Sequence, residues 1–198
     1  LQDYLEEIRQ MGSENILFAA WADEMAKRMP ILIRQAKLLS RKYDVVVTNP
    51  PYMGSSGMDA KLSKYVKENY PDSKSDLFSC FITRGNQMIK QHAFNCMVTM
   101  QSWMFLSSFE TMRKQILSTK DIVALMHMEN MVMGIAFGTA ATVFRNSHVE
   151  GFKGTYNQIK LCDIVNDKPI EFPVLKNRFA QVSSEYFGNI HGSTVAYW

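Results

Sequence analysis

The sequence predicts an α/β fold, with helices packed on a mostly parallel sheet that ends in an antiparallel hairpin. Three observations carry this reading. Residues 43–48 hold Val45-Val46-Val47, apolar toward both faces, as in a parallel strand covered by helices. Strand and helix patterns alternate from there to about residue 145, which favours parallel neighbours joined by crossovers. The segments 122–128 and 139–145 are linked by a stretch holding Gly134 and Gly138 without helical period, so they are expected to pair antiparallel.

Taken in order, residues 1–11 place Leu1, Leu5 and Ile8 on one face of a short amphipathic helix. A second helix is expected over 22–40, with Met25, Met29, Leu32, Ala36 and Leu39 as its stripe. Asp23 would cap it and Pro30 would kink or split it. The strand over 43–48 stops at Asn49-Pro50-Pro51-Tyr52, because two prolines cannot donate ladder hydrogen bonds. A small-residue loop over 53–58 leads to a polar helix over 59–69, in which Lys61, Lys64 and Lys67 form a basic stripe. Residues 76–90 read as a strong helix with Leu77, Phe78, Phe81, Ile82, Met88 and Ile89 inward. A strand over 94–101 follows. Ser107 and Glu110 stand at capping-box spacing and open a helix to about Leu117. Beyond residue 150 a strand is expected over 159–165, a break at Lys168-Pro169, and an irregular tail over 176–198. This divides the chain into a helical segment over 1–42, a catalytic part over 43–150 and an extension over 151–198.

Composition excludes several classes. With 198 residues, 46% hydrophobic and 21% charged, the chain can bury a real core. No apolar run is long enough for a transmembrane helix and no signal peptide is visible, so a cytoplasmic protein with no membrane partner is expected. Cys80, Cys96 and Cys162, with His92, His127, His148 and His191, show no ligand spacing, so no metal site is expected. A net charge of +3 permits a polyanionic partner without requiring one.

The chemistry-bearing feature is Asn49-Pro50-Pro51-Tyr52. A rigid turn holds an amide, a row of carbonyls and an aromatic ring in fixed relation, as gripping a planar base by its amino group requires. The tetrapeptide resembles the active-site motif of amino-methyltransferases, and motif IV of the DNA adenine-N6 methyltransferases in particular. Residues 43–54, Asp72-Ser73-Lys74-Ser75-Asp76-Leu77-Phe78 and Ser102-Trp103-Met104-Phe105-Leu106-Ser107-Ser108 resemble the PglX-like methyltransferases of restriction-modification and phage-defence systems. The resemblance covers roughly residues 40–145. It implies the later half of a class I, Rossmann-like, S-adenosylmethionine-dependent methyltransferase sheet, acting on double-stranded DNA.

The same resemblance assigns roles. The Asn49 side-chain carbonyl and the Pro50 backbone carbonyl would accept the two N–H groups of an adenine amine and free its lone pair, by electrostatic preorganisation. Pro51 keeps the turn rigid. Tyr52 would stack on a base rotated out of the duplex, and Phe137, in Phe137-Gly138-Thr139, matches the ring that closes the sandwich. Phe137 as a plain core residue is the competing reading. Lys61, Lys64 and Lys67 would meet phosphates, or simply form a solvated face.

The chain also departs from the family. Gly12 is the only glycine before Gly54, and Phe18–Asp23 imitates the expected cofactor turn without one. Only 42 residues precede the first strand, against about 30 for each βαβ unit. The chain, which starts at Leu1, is therefore expected to be a piece of a longer S-adenosylmethionine-dependent enzyme and to hold no cofactor itself. Residues 43–48 would then be a bare edge, open to self-association or covered by residues 1–40. Two alternatives stay open: a non-catalytic module binding nucleic acid or a partner, and an RNA or protein-glutamine methyltransferase with the same motif.

Overall fold

The computed structural model describes residues 3, 4, 6, 7, 10, 16–166, 168–174 and 178–197. Two compact units separate at Lys42 and Tyr43. In the first, residues 3, 4, 6, 7 and 10 are helical, whereas Leu1, Leu5 and Ile8, the expected stripe, lie outside the described residues. Helix α1 spans Ile16–Ser40 and contains Pro30. It begins well before Asp23, which is therefore an interior residue and not a cap.

The second unit is built on a six-stranded sheet. Its strands are β1 (Tyr43–Thr48), β2 (Ile89–Met100), β3 (Asp121–Met128), β4 (Thr139–Arg145), β5 (Lys153–Ile159) and β8 (Phe179–Ser183), in the order β1-β2-β4-β3-β5-β8. A separate two-stranded ribbon pairs β6 (Ile164–Val165) with β7 (Lys168–Pro169). In the large sheet β1 runs parallel to β2 and β3 parallel to β5, while β4 is antiparallel to both its neighbours. Strands β1, β2, β3 and β5 thus share one direction. The expected β3–β4 pairing is present, from Asp121↔Arg145 to Met128↔Thr139.

Helices α2 (Ala60–Asn69) and α3 (Leu77–Met88) fill the crossover from β1 to β2, and α4 (Glu110–Thr119) the crossover from β2 to β3. Each start has a local cause. Asp59 caps α2 by accepting from Leu62 N at 2.7 Å, and Asp76 caps α3 by accepting from Phe78 N at 3.2 Å. Ser107 makes no such bond. It opens a single 3₁₀ turn over Ser107–Phe109, and α4 starts behind Phe109, whose side chain can satisfy no backbone donor.

Strand alternation divides the sheet faces. Phe78, Ile82 and Met97 join Trp103, Phe109, Met112, Ile116, Ile122, Leu125 and Phe144 in one core beneath the helices. Burying side chains of this size contributes about 1.5–3 kcal/mol each. The opposite face is uncovered: Val47, Cys96, Val98, Met126, Ala141 and Val143 line a shallow apolar depression.

The later residues differ from expectation. The strand expected over 159–165 lies instead at Lys153–Ile159, followed by a 3₁₀ turn at Leu161–Asp163. Little of 153–159 is apolar, yet Tyr156 and Ile159 are buried and Asn157 spends its amide on Val174 O (3.0 Å) and Arg178 O (3.2 Å). The expected irregular tail contains β8, antiparallel to β5, and a short helix α5 (Ser184–Gly188). Arg113 ties the last residues down. It is 1% exposed, and its guanidinium donates to Trp103 O (2.9 Å), Leu106 O (2.5 Å) and Gly192 O (2.7 Å).

Candidate active site

Three strand ends meet above the carboxyl edge of the parallel strands. Register places Thr48, the last residue of β1, against Met97 of β2, so Asn49 emerges at this edge. Ligands of open α/β sheets bind outside the carboxyl ends of their strands. Asn49 is exposed, Pro50 is buried and Tyr52 is half-buried.

Tyr52 organises the turn. Its hydroxyl lies 2.9 Å from Asn49 Oδ1 and 3.1 Å from Val98 O, so its single proton is shared between the two acceptors. The Asn49 carbonyl has a second lone pair, which remains for an incoming N–H. Partial burial pushes the Tyr52 phenol above its ordinary value, keeping it a neutral donor. The ring meets Phe78 edge-on at 6.2 Å and Phe137 at 5.5 Å with an interplanar angle of 72°. Phe137 therefore stands at Tyr52 and is half-buried.

The segment after the motif is fastened to the start of α3. Asp76 Oδ1 accepts from Met53 N at 3.0 Å while also capping the helix, and Leu77 N donates to Met53 O at 2.9 Å. One carboxylate thus joins the Asn-Pro-Pro-Tyr turn to the helix that carries Phe78. Sequence reasoning singled out the Asp72–Phe78 block only by resemblance. The isolated acid directly before an apolar helix was the available signal, since such a residue is a capping candidate. Val98 O was missed because a backbone acceptor leaves no local pattern.

The lysines lie apart from these contacts. Lys61, Lys64 and Lys67 are all exposed on α2, with Lys64 3.9 Å from Glu68. Among the described residues no cluster of His, Cys, Asp and Glu could hold a metal ion, and no helix is long and apolar enough to cross a membrane. Nor do the described residues fit S-adenosylmethionine: α1 precedes β1 directly, with no strand and glycine turn ahead of it to cradle a nucleoside.

Strand order and direction define the class, a class I methyltransferase sheet. The chain belongs to the Eco57I restriction-modification methylase family, whose model matches residues 1–132. It is 35% identical over its whole length to the adenine-specific methyltransferase BrxX of Escherichia coli O9:H4 (strain HS), covering 16% of that protein. It is 37% identical over 84% of its length to the adenine-specific methyltransferase PglX of Lacticaseibacillus casei (strain Zhang), covering 15% of it. The chain thus spans about one-sixth of these curated relatives. Among solved structures, a chain of a type I restriction-modification system superposes with a TM-score of 0.60 at 17% identity, covering 79% of this chain and 37% of that one. The methyltransferase subunit of a type I system from Streptococcus thermophilus gives 0.55 at 14% identity, over 78% of this chain and 37% of the subunit. These structural likenesses concern the fold.

Proposed function

We propose that this chain is the acceptor-side half of an adenine-N6 DNA methyltransferase, and that its Asn-Pro-Pro-Tyr turn holds the amine to be methylated. One observation carries the reading: the exposed Asn49 amide stands at the carboxyl end of β1, oriented by Tyr52, whose ring Phe137 meets edge-on. Membership of a restriction-modification methylase family supports duplex DNA as the source of that base.

The residues act on the acceptor alone. Asn49 Oδ1 and Pro50 O accept the two N–H groups of a rotated-out adenine. Their negative ends draw the nitrogen toward sp³ geometry and raise its nucleophilicity, without reorganisation during the reaction. Tyr52 holds the ring by stacking, worth about 1–3 kcal/mol per base, and Phe137, edge-on to Tyr52 at 5.5 Å, forms a side wall of the pocket rather than the second face of a sandwich. Pro50 and Pro51 keep the carbonyls rigid, so little entropy is lost on binding. Lys61, Lys64 and Lys67 are exposed on α2, Lys64 beside Glu68, and would meet DNA phosphates. The methyl donor of the longer protein is S-adenosylmethionine, held outside the residues described here.

The test is methylation of duplex DNA by the longer protein carrying Asn49→Ala, with binding measured alongside. Loss of N6-methyladenine with DNA binding intact supports the reading. Full activity, or activity on RNA or glutamine in place of DNA, sinks it.

A second reading rests on a separate observation. Among the described residues strand β1 has one neighbour in the sheet, β2, and Val45 and Val47 are 51% and 72% exposed. An open, apolar edge recruits a further strand. Isolated from the rest of its polypeptide, this chain self-associates through residues 43–48. Light scattering at monomer mass together with fast exchange of amides 44–48 would refute this.

A further inference from the structure

We propose that Gln101, gripped by His127, is a positioning residue that sets how far Phe137 stands from Tyr52. The inference rests on the reading of those two rings as the walls of the base pocket.

The loop from Glu129 to Gly138, between β3 and β4, carries Phe137. Its tip is exposed and bonded mainly to itself: Gly134 adopts φ +71°, nothing lies within 4 Å of where its Cβ would stand, Met131 and Met133 are about half exposed, and Met131 N donates to Ile135 O at 2.8 Å. Its far end is pinned. Gln101 N donates to Gly138 O at 3.0 Å, directly beside Phe137. The Gln101 side chain then crosses the space that a residue-138 side chain would fill, since a Cβ on Gly138 would meet Gln101 Cδ and Oε1 at 2.4 Å. Beyond it the Gln101 carbonyl forms a short hydrogen bond with His127 Nε2. A side-chain carbonyl only accepts, so His127 Nε2 carries the proton. The imidazole is 6% exposed and packs edge-on against Tyr197 at 6.3 Å, which fixes the ring from the other side.

The same strand end reaches the other wall. Val98, three residues before Gln101, accepts from the Tyr52 hydroxyl. The carboxyl end of β2 therefore reaches both sides of the pocket, the Tyr52 hydroxyl through Val98 O and the residue after Phe137 through Gln101. The amide is a spacer: with it in place the Phe137 end of the loop keeps one distance from Tyr52, and without it that end loses its support.

Four variants of the full-length protein test this: Gln101→Leu, Gln101→Glu, Gly138→Ala and Tyr52→Ala. Two readouts are used, hydrogen exchange of amides 131–138 and quenching of a single-stranded oligonucleotide containing 2-aminopurine. Gln101→Leu keeps the bulk but loses the acceptor. Exchange should rise and 2-aminopurine affinity fall, each by about tenfold, the equivalent of one hydrogen bond. Gln101→Glu still accepts from His127 and should stay within about twofold of the parent on both; a merely space-filling role would instead leave Gln101→Leu as close to the parent as Gln101→Glu. Gly138→Ala displaces the amide without changing its chemistry, and should repeat the loss even if Gln101→Leu does not fold. Unchanged exchange in both Gln101→Leu and Gly138→Ala overturns the inference. Tyr52→Ala separates the two claims. If it binds 2-aminopurine as tightly as the parent while exchange in Gln101→Leu still rises, the pinning stands and the base-pocket reading falls.

Discussion

One sheet presents two unlike faces, and residues one apart on the same strand belong to different parts of the molecule. On β4, Phe144 is fully buried under the helices, while its neighbour Val143 lines the open depression. On β2, Met97 joins the core and Val98 does not, although Val98 O reaches Tyr52. The covered face carries stability. The open face is a shallow apolar depression, and the carboxyl rim carries the exposed Asn49 and the aromatic pair. Rigidity in the first is what allows Asn49 to stay exposed in the second without being lost to disorder, because each site residue hangs from a strand fixed by the core.

The sharpest break of this contrast is Phe144→Ala against Val143→Ala. The first should cost about 3–5 kcal/mol of unfolding free energy and the second under about 1.5, read from urea midpoints. Equal losses would mean that the open face is covered in solution. Asn49→Ala should invert the pattern in the longer protein: near-parent stability, with methyl transfer down about 10²–10³-fold, the scale seen when a preorganised polar group is removed. Tyr52→Phe sharpens it further. The ring and its stacking stay, and only the bond that orients Asn49 is lost, so the rate should fall by about tenfold with base affinity nearly unchanged.

A pH prediction follows from His127. Desolvation pushes it below the ordinary histidine value. The unfolded chain therefore takes up a proton in a range where the folded chain does not. Stability is full above about pH 6.5 and falls as the pH drops through the lowered folded value. Thermal midpoints between pH 8 and pH 5 should decline, and His127→Gln should flatten that part of the decline. The smallest effect is expected from the lysines. Replacing Lys61, Lys64 and Lys67 with Gln should leave stability within about 0.5 kcal/mol. If these side chains meet phosphates, each replacement should also reduce the salt dependence of DNA binding by about one unit of slope.

What the sequence disclosed follows the same division. A Val run ended by two prolines made β1 and its turn legible, because both signals are local. Strand β4 was legible at its observed bounds, and α3 within two residues, since each has its own hydrophobic period. Strands β5 and β8 were misjudged because they are recruited by neighbours rather than by composition: Asn157 is buried only because Val174 and Arg178 come to meet it. Asp23 and Ser107 looked like caps by residue type, yet α1 starts earlier and α4 later than that pattern suggests. At the site, Asn49 through Tyr52 were visible from chemistry, and the approach of Phe137 to Tyr52 depended on tertiary placement. Gln101, His127 and Asp76 act across long sequence separations, where spacing carries no information.

Arg113 has a consequence of its own. A guanidinium this deeply buried is tolerable because backbone carbonyls from two stretches converge on it and the Glu110 carboxylate stands near enough to offset its charge. Two of those oxygens come from the turn after β2 and the third from Gly192. The residues around Gly192 therefore work as a detachable clasp. Clipping the polypeptide near Gly188 would strand that charge without its third anchor, and a synthetic peptide of residues 189–197 supplied in trans should snap back and restore the lost melting temperature.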